Sequence, residues 1–413
     1  MQSDWKKALG PGLLYAGAAV GVSHIVQSTR AGALYGFALL GFVLLVNVLK
    51  YPFFEFGSRY TVATGQSLLA GYKKLGRWVL PAFVLLTLFT MFPILAAISS
   101  VFTGIISELL QPDWPPFLIH MLALTSCAVV LVFGRFKLLD NLIRGIMLLL
   151  TITTLVAATA AFTQLPLLQR AAGASFSWDL PGLLFLIAFA GWMPTPVDSS
   201  VWQSLWTLEK RAAAGISSWK AVQFDFNLGY WLSTFLAIVF VFIGGVVVFG
   251  TSTTLPAQAA AFAAGFLSIY VQLLGPWAYT VVAISIFATM FSTLLTVIDG
   301  YPRVLQESVR LMRGEKHHNP LYYWLALAVF LGGTLFLLHF WPDNMLQLVD
   351  LATSLSFLTA PVLGWWNFRL VRNKNFPENY RPKRFLQLLG WCGLLFLSLF
   401  SVVFLLSKLG ILA

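Results

Sequence analysis

The chain is a succession of apolar stretches, many about 20 residues long, each ended by a short polar or basic segment. A run of that length spans the hydrocarbon of a bilayer as a helix. The runs fall at 9–36, 38–58, 78–107, 115–134, 141–163, 181–207, 225–250, 265–300, 320–341, 345–368 and 385–407. They predict an all-α integral membrane protein with about eleven transmembrane helices. A β-barrel would alternate polar and apolar residues in shorter segments, and this chain does not.

Two stretches are interrupted near their middles. The first reads "GAAVGVSHIVQST", from Gly17 to Thr29, and the sixth reads "FAGWMPTPVDSS", from Phe189 to Ser200. Pro194 and Pro196 each remove a backbone donor and disfavour helix at the residue before them. Carbonyls freed at membrane depth need partners, so such a break is tolerated where it faces a cavity or a bound solute. A simple proline kink would need neither the second proline nor the adjacent Asp198. Paired interrupted spans at matching positions of two halves point to the binding site of a secondary transporter. The five-span separation predicts two five-helix repeats, about 9–163 and 181–368, with an extra span at about 385–407. An odd repeat length makes the second copy inverted. The whole chain, 1–413, then forms a single transporter domain.

Composition agrees with the pattern: 59% of residues are hydrophobic and 10% charged, against about 25% charged in a soluble domain. The net charge of +11 reports topology and not a nucleic-acid partner. With the N-terminus in the cytoplasm, nearly all loop Lys and Arg fall inside, and only Arg30, Arg170 and Lys408 fall outside. The last span then ends outside the cell (inner) membrane. The N-terminal "MQSDWKKALGPG" has no cleavage pattern of a secretory signal, so the first span is expected in the mature protein. Cys127 and Cys392 lie in separate spans and make neither a disulfide framework nor a metal cluster.

Candidate chemistry gathers at the two breaks. His24 stands at the first, where it is a ligand, a proton carrier, or a ring bonded to a neighbour. Asp198 lies just past the second. A charge at the bilayer centre costs about 2.5–3.5 kcal/mol on insertion scales and needs a partner or water. That partner is either a transported solute or proton, or a structural ion pair with Lys50 or Arg30. Ser23, Ser28, Thr195, Ser199 and Ser200 are short oxygen donors that make a polar wall, or bond their own helices. Lys50 and Glu55 occupy the inner half of span two, and Lys50 is long enough to snorkel. Asp140 with Arg144, and Arg303 with Glu307, are four apart and read as helix-surface ion pairs or cytoplasmic gate latches. Asp225 opens span seven, where an acid favours a helix N-terminus.

At this point a family resemblance becomes visible. "GPGLLYAGAAVGVSHIVQSTRAGALYGF", "RYTVATGQSL", "FGRFKLLDNL", "AGWMP" and "LLGPWA" followed by "FSTLLTVIDGYPRVLQES" occur in the order and at the spacing of Nramp metal transporters. The resemblance covers spans one to eight. It implies the LeuT-type inverted-repeat fold, alternating access, and divalent-metal uptake, usually with protons. The metal is then cargo, and no cofactor is expected. Ala190 and Met193 match the family's carbonyl and thioether ligands, and a thioether favours softer metals over Ca²⁺ or Mg²⁺. The family's Asp-Pro-Gly-Asn reads Gly21, Val22, Ser23 and His24 here, so the site carboxylate is gone and the Asn is a His. The family's His after Met-Pro is Thr195, and no acid occurs between Glu55 and Glu108 along the usual proton route.

The expected substrate site is therefore Gly21, His24, Ala190, Met193, Thr195 and Asp198, with His24, Met193, Asp198 and Ala190 as metal ligands. Proton or gating roles fall to His24, Asp198, Lys50, Glu55, Asp140 and Arg144. The leading expectation is a divalent-metal carrier with a rebuilt site. The alternative is a carrier of the same fold for a small organic solute or a harder cation, which the loss of the acid at Gly21 favours. An enzyme finds no support, because there is no clustered His motif, phosphate loop or convincing Ser-His-Asp set. Paired breaks favour a carrier over a channel.

Overall fold

The computed structural model describes residues 10–133, 136–214, 218–252, 255–341 and 344–411. The first apolar stretch is three pieces: α1 (Pro11–Ala19), a π-helical segment (Ser23–Ser28) and α2 (Thr29–Tyr35). Pro11 opens α1, where a missing N–H costs no helical bond. The chain continues through α3 (Leu40–Thr64), the short α4 (Leu68–Leu75), α5 (Val79–Leu110), α6 (Pro116–Phe133) and α7 (Phe136–Ala161). The short α8 (Leu165–Ala172) turns away by 93° from α7. The sixth stretch is again broken, into α9 (Leu180–Gly191) and α10 (Ser199–Ala214). Then follow α11 (Trp219–Val247), α12 (Ala259–Leu274), α13 (Trp277–Arg313), α14 (Pro320–Phe340), α15 (Met345–Arg372) and α16 (Arg384–Lys408).

Among the described residues, eight unbroken helices are long and apolar enough to cross a membrane, or nine with the bent pair. The two broken stretches fall short because they are broken. One expected boundary is corrected. The stretch 265–300 is not one span: α12 ends at Leu274, Gly275 takes φ +93°, and α13 starts at Trp277 and runs on to Arg313. Several starts are capped as the side chains allow. Asp179 accepts from Gly182 N (2.8 Å) at α9, and Asn319 accepts from Leu321 N (2.9 Å) at α14.

Small residues bring the broken stretches against their neighbours. A Cβ on Gly12 would stand 1.9 Å from the Asp225 carbonyl oxygen, and one on Gly244 2.4 Å from that of Thr29. Both pieces of span one thus press backbone to backbone on α11, as small residues permit in membranes. Likewise α9 lies on α15, where a Cβ on Gly191 would meet the Thr353 carbonyl oxygen at 2.0 Å. The apolar stretch of α11 is 72% buried and that of α14 only 17%, so α11 is central and α14 peripheral. Leu325, Val329, Phe336 and Phe340 of α14 and Leu388, Leu395 and Leu399 of α16 are exposed apolar surface suited to lipid.

Candidate functional site

The break in span six leaves the last carbonyls of α9 without helical partners. Lys50 supplies one. Its buried ammonium, carried in from α3, donates to Ala190 O at 3.0 Å, Gly191 O at 3.1 Å and Thr195 O at 3.1 Å. It does not snorkel, and it forms no ion pair with Asp198. The negative end of the α9 dipole meets a positive charge there.

Asp198 lies beyond the prolines and is buried. Its Oδ2 accepts from the Tyr301 hydroxyl at 2.8 Å, and its Oδ1 has no partner. Asp198 lines a cavity of about 40 Å³, room for a dehydrated ion or one or two waters. Ala19, Val22 and Ser23 form its span-one wall, Trp192, Thr195 and Trp202 its span-six wall, and Thr293 and Tyr301 close it from α13. Neither expected partner forms a direct ion pair with Asp198, although Lys50 is near enough to act on it electrostatically. Arg30 instead forms a two-pronged pair with Asp350 of α15, at 2.7 and 3.1 Å, with Gln27 bound to the same carboxylate at 3.0 Å.

The break in span one is held differently. His24 Nε2 donates to the Ser233 carbonyl of α11 at 2.8 Å, and its Nδ1 lies 2.8 Å from Ser23 Oγ. A carbonyl only accepts, so we assign the ring hydrogen to Nε2. The Ser23 hydroxyl also reaches Ala19 O. His24 is fully buried, bonds α11, and does not itself line the cavity. Gly21 sits against α13, where a Cβ would be 2.8 Å from Thr293 Oγ1. The buried π-helical segment, a form frequent at functional sites, follows the break directly.

The expected ligand set is only partly assembled. Of His24, Ala190, Met193 and Asp198, Asp198 alone lines the cavity. The carbonyl of Ala190 is bound by Lys50, the sulfur of Met193 lies 3.8 Å from the Ser28 hydroxyl, and both His24 nitrogens are engaged. Among the described residues no three His, Cys, Asp or Glu side chains gather as a metal cluster. Thr195 contributes to the cavity wall and, through its carbonyl, to the Lys50 contact.

The remaining candidates with described side chains do not line the cavity. Glu55 is bound by Arg59, whose Nε lies 2.9 and 3.0 Å from its two oxygens. Arg59 also donates to Tyr380 O at 2.8 Å and covers the Trp219 ring. The side chains of Asp140 and Arg144 lie outside the described residues. The expected Arg303–Glu307 pair is corrected: Arg303 binds Asp299 (2.6 Å) and Glu209 (3.3 Å), while Glu307 binds Arg310 (2.7 Å). Asp225 does serve a helix N-terminus, but that of α1 and not its own. Its oxygens accept from Gly10 N at 2.9 Å and Gly12 N at 2.6 Å.

Tyr301, Ser233 and Asp350 escaped the sequence reading, since nothing local marks a partner more than 100 residues away. His120 did as well; it is buried, with Nδ1 at 2.9 Å from both Ser99 Oγ and Thr103 Oγ1.

The fold has known counterparts. The manganese transporter of Eremococcus coleocola, crystallised with an aromatic bis-isothiourea compound, superposes with a TM-score of 0.66 at 14% identity, over 98% of this chain and 87% of that one. MhsT bound to L-phenylalanine superposes with a TM-score of 0.61 at 16% identity, over 95% of this chain and 98% of that one. These identities show the fold alone, which is the LeuT type. In sequence, the chain is 34% identical to an uncharacterized protein of Pasteurella multocida (strain Pm70), over 99% of this chain and 95% of that protein. The family model described as natural resistance-associated macrophage protein-like matches residues 12–407. By that match the chain belongs to the Nramp family of transporters.

Proposed function

We propose that this membrane transporter moves a divalent metal ion of the Mn²⁺ or Fe²⁺ kind by alternating access, through a substrate site rebuilt on span six. The observation that carries the reading is Asp198: a buried carboxylate with one unpartnered oxygen, in a cavity the size of an ion. A dication at membrane depth needs negative charge beside it, and Gly21 offers none. Asp198 supplies that charge, with Thr195 and Ser23 as neighbouring oxygens. His24, Ala190 and Met193 serve the scaffold in this reading. The same carboxylate couples protons, carrying one when the site is empty and releasing it when metal arrives. The reading includes about eleven crossings in two inverted five-span repeats plus a last span, with the N-terminus in the cytoplasm and the C-terminus outside.

A second reading rests on a specific observation. Lys50 occupies the carbonyl that the family resemblance gives to the metal, and Trp192, Trp202 and Tyr301 wall the cavity. Those rings suit a small organic solute admitted in a wider conformation. Uptake into proteoliposomes separates the two. Metal transport predicts saturable uptake of Mn²⁺, Fe²⁺ or Cd²⁺, faster with an inward proton gradient. Absence of uptake for all of these from well-folded protein overturns the metal reading and leaves the organic one.

A further inference from the structure

The structure assigns to Lys50 the place of a bound cation: its ammonium fills a three-carbonyl cation site at the break of span six that would otherwise take a small monovalent cation from solution. The inference holds whichever solute is carried.

Three observations support it. The ammonium has three hydrogens and meets three main-chain oxygens, at 3.0, 3.1 and 3.1 Å. All belong to the interrupted segment, two at the end of α9 and one beyond Pro194. Such a ring of carbonyls is how broken transporter helices hold small cations. Second, Lys50 is fully buried and, among the described residues, in no ion pair. The Phe54 ring, 5.9 Å from Nζ, adds its negative face. Its direct contacts are carbonyl dipoles, with the Asp198 carboxylate acting on it only at longer range, which is the environment of a coordinated ion. Third, the side chain comes from α3, a continuous helix outside the broken span, and so spans the gap like a tethered guest. The chain carries this cation permanently, and needs none from solution to hold the half-helix end.

Removing the tether should empty the site without destroying it. Lys50→Met keeps most of the volume and removes the charge, and Lys50→Arg keeps the charge. Each protein is purified in ammonium chloride, then its thermal unfolding is compared in ammonium chloride and in N-methyl-D-glucamine chloride at equal ionic strength. The larger cation does not fit three converging carbonyls. Wild type and Lys50→Arg should unfold at the same temperature in both media. Lys50→Met should unfold about 5 °C or more higher in ammonium, as expected for a ligand bound only by the folded state. A Lys50→Met protein with the same unfolding temperature in both media overturns the inference. So does one that fails to fold in either medium while Lys50→Arg folds, because a free cation then cannot stand in for the ammonium.

Discussion

The breaks in spans one and six are held by opposite means. At the first, neutral groups close the gap: the His24 ring bridges Ser23 and the Ser233 carbonyl, and Gly21 brings the chain against Thr293. At the second, charges do the work: an ammonium caps the end of α9, and a carboxylate stands in the cavity with one oxygen free. In the family pattern the acid belongs to span one. Under the proposed function that role passes to span six, and the charges lie where the proline-rich segment breaks the helix. A neutral break can be rigid scaffold. A charged one, at membrane depth, carries a cost that only partners or a solute offset.

That contrast can be broken most forcefully at Gly21. Restoring the acid with Gly21→Asp places a Cβ 2.8 Å from Thr293 Oγ1 and a second carboxylate nearby. The expected loss is more than about 3 kcal/mol, from overpacking together with a buried charge. It is read as a collapse of monodisperse yield that Thr293→Ala relieves in part. An unperturbed Gly21→Asp protein would mean the first break is looser than described.

His24→Ala comes next. It leaves the Ser233 carbonyl without its ring donor and a cavity where the imidazole was, at a cost of about 1–3 kcal/mol in stability. Thermal unfolding should fall while uptake per folded molecule is retained, and His24→Gln should recover part of the loss. Retained stability with lost uptake would return His24 to the substrate site.

Smaller effects sharpen the picture. Asp225→Ala removes the acceptor of two N–H groups at the start of α1. It should lower stability by about 0.5–2 kcal/mol in chemical or thermal unfolding. Tyr301→Phe removes the hydroxyl that donates to Asp198 Oδ2. It should change the half-saturating metal concentration by up to about tenfold, as one hydrogen bond to a charged group allows, and leave the fold intact.

Much of the architecture was readable along the chain, because bilayer thickness imposes run length. Both interruptions were readable for the same reason: prolines and small polar residues have no cheap place in lipid. The division of 265–300 was also within reach, since Gly275 and Pro276 form a turn-making dipeptide inside "LLGPWA". Partners were not. Lys50 reads as a snorkelling side chain until α9 is seen to end beside it. Asp225 reads as the start of its own helix, whereas its carboxylate binds residues 213 and 215 positions earlier. His24 shows the limit most clearly. Its position matches a ligand of the family, but the ring turns to α11, and only packing between spans decides which way a ring turns.

The most direct test of the role proposed for span six is Mn²⁺ uptake into proteoliposomes by Asp198→Asn, beside wild type and His24→Ala at equal incorporation. Asn keeps the shape and the Tyr301 contact but removes the charge. The account predicts saturable uptake by wild type, uptake reduced about tenfold to a hundredfold in Asp198→Asn, and uptake retained in His24→Ala. Uptake by Asp198→Asn equal to wild type, with loss confined to His24→Ala, would contradict it and return the substrate site to span one.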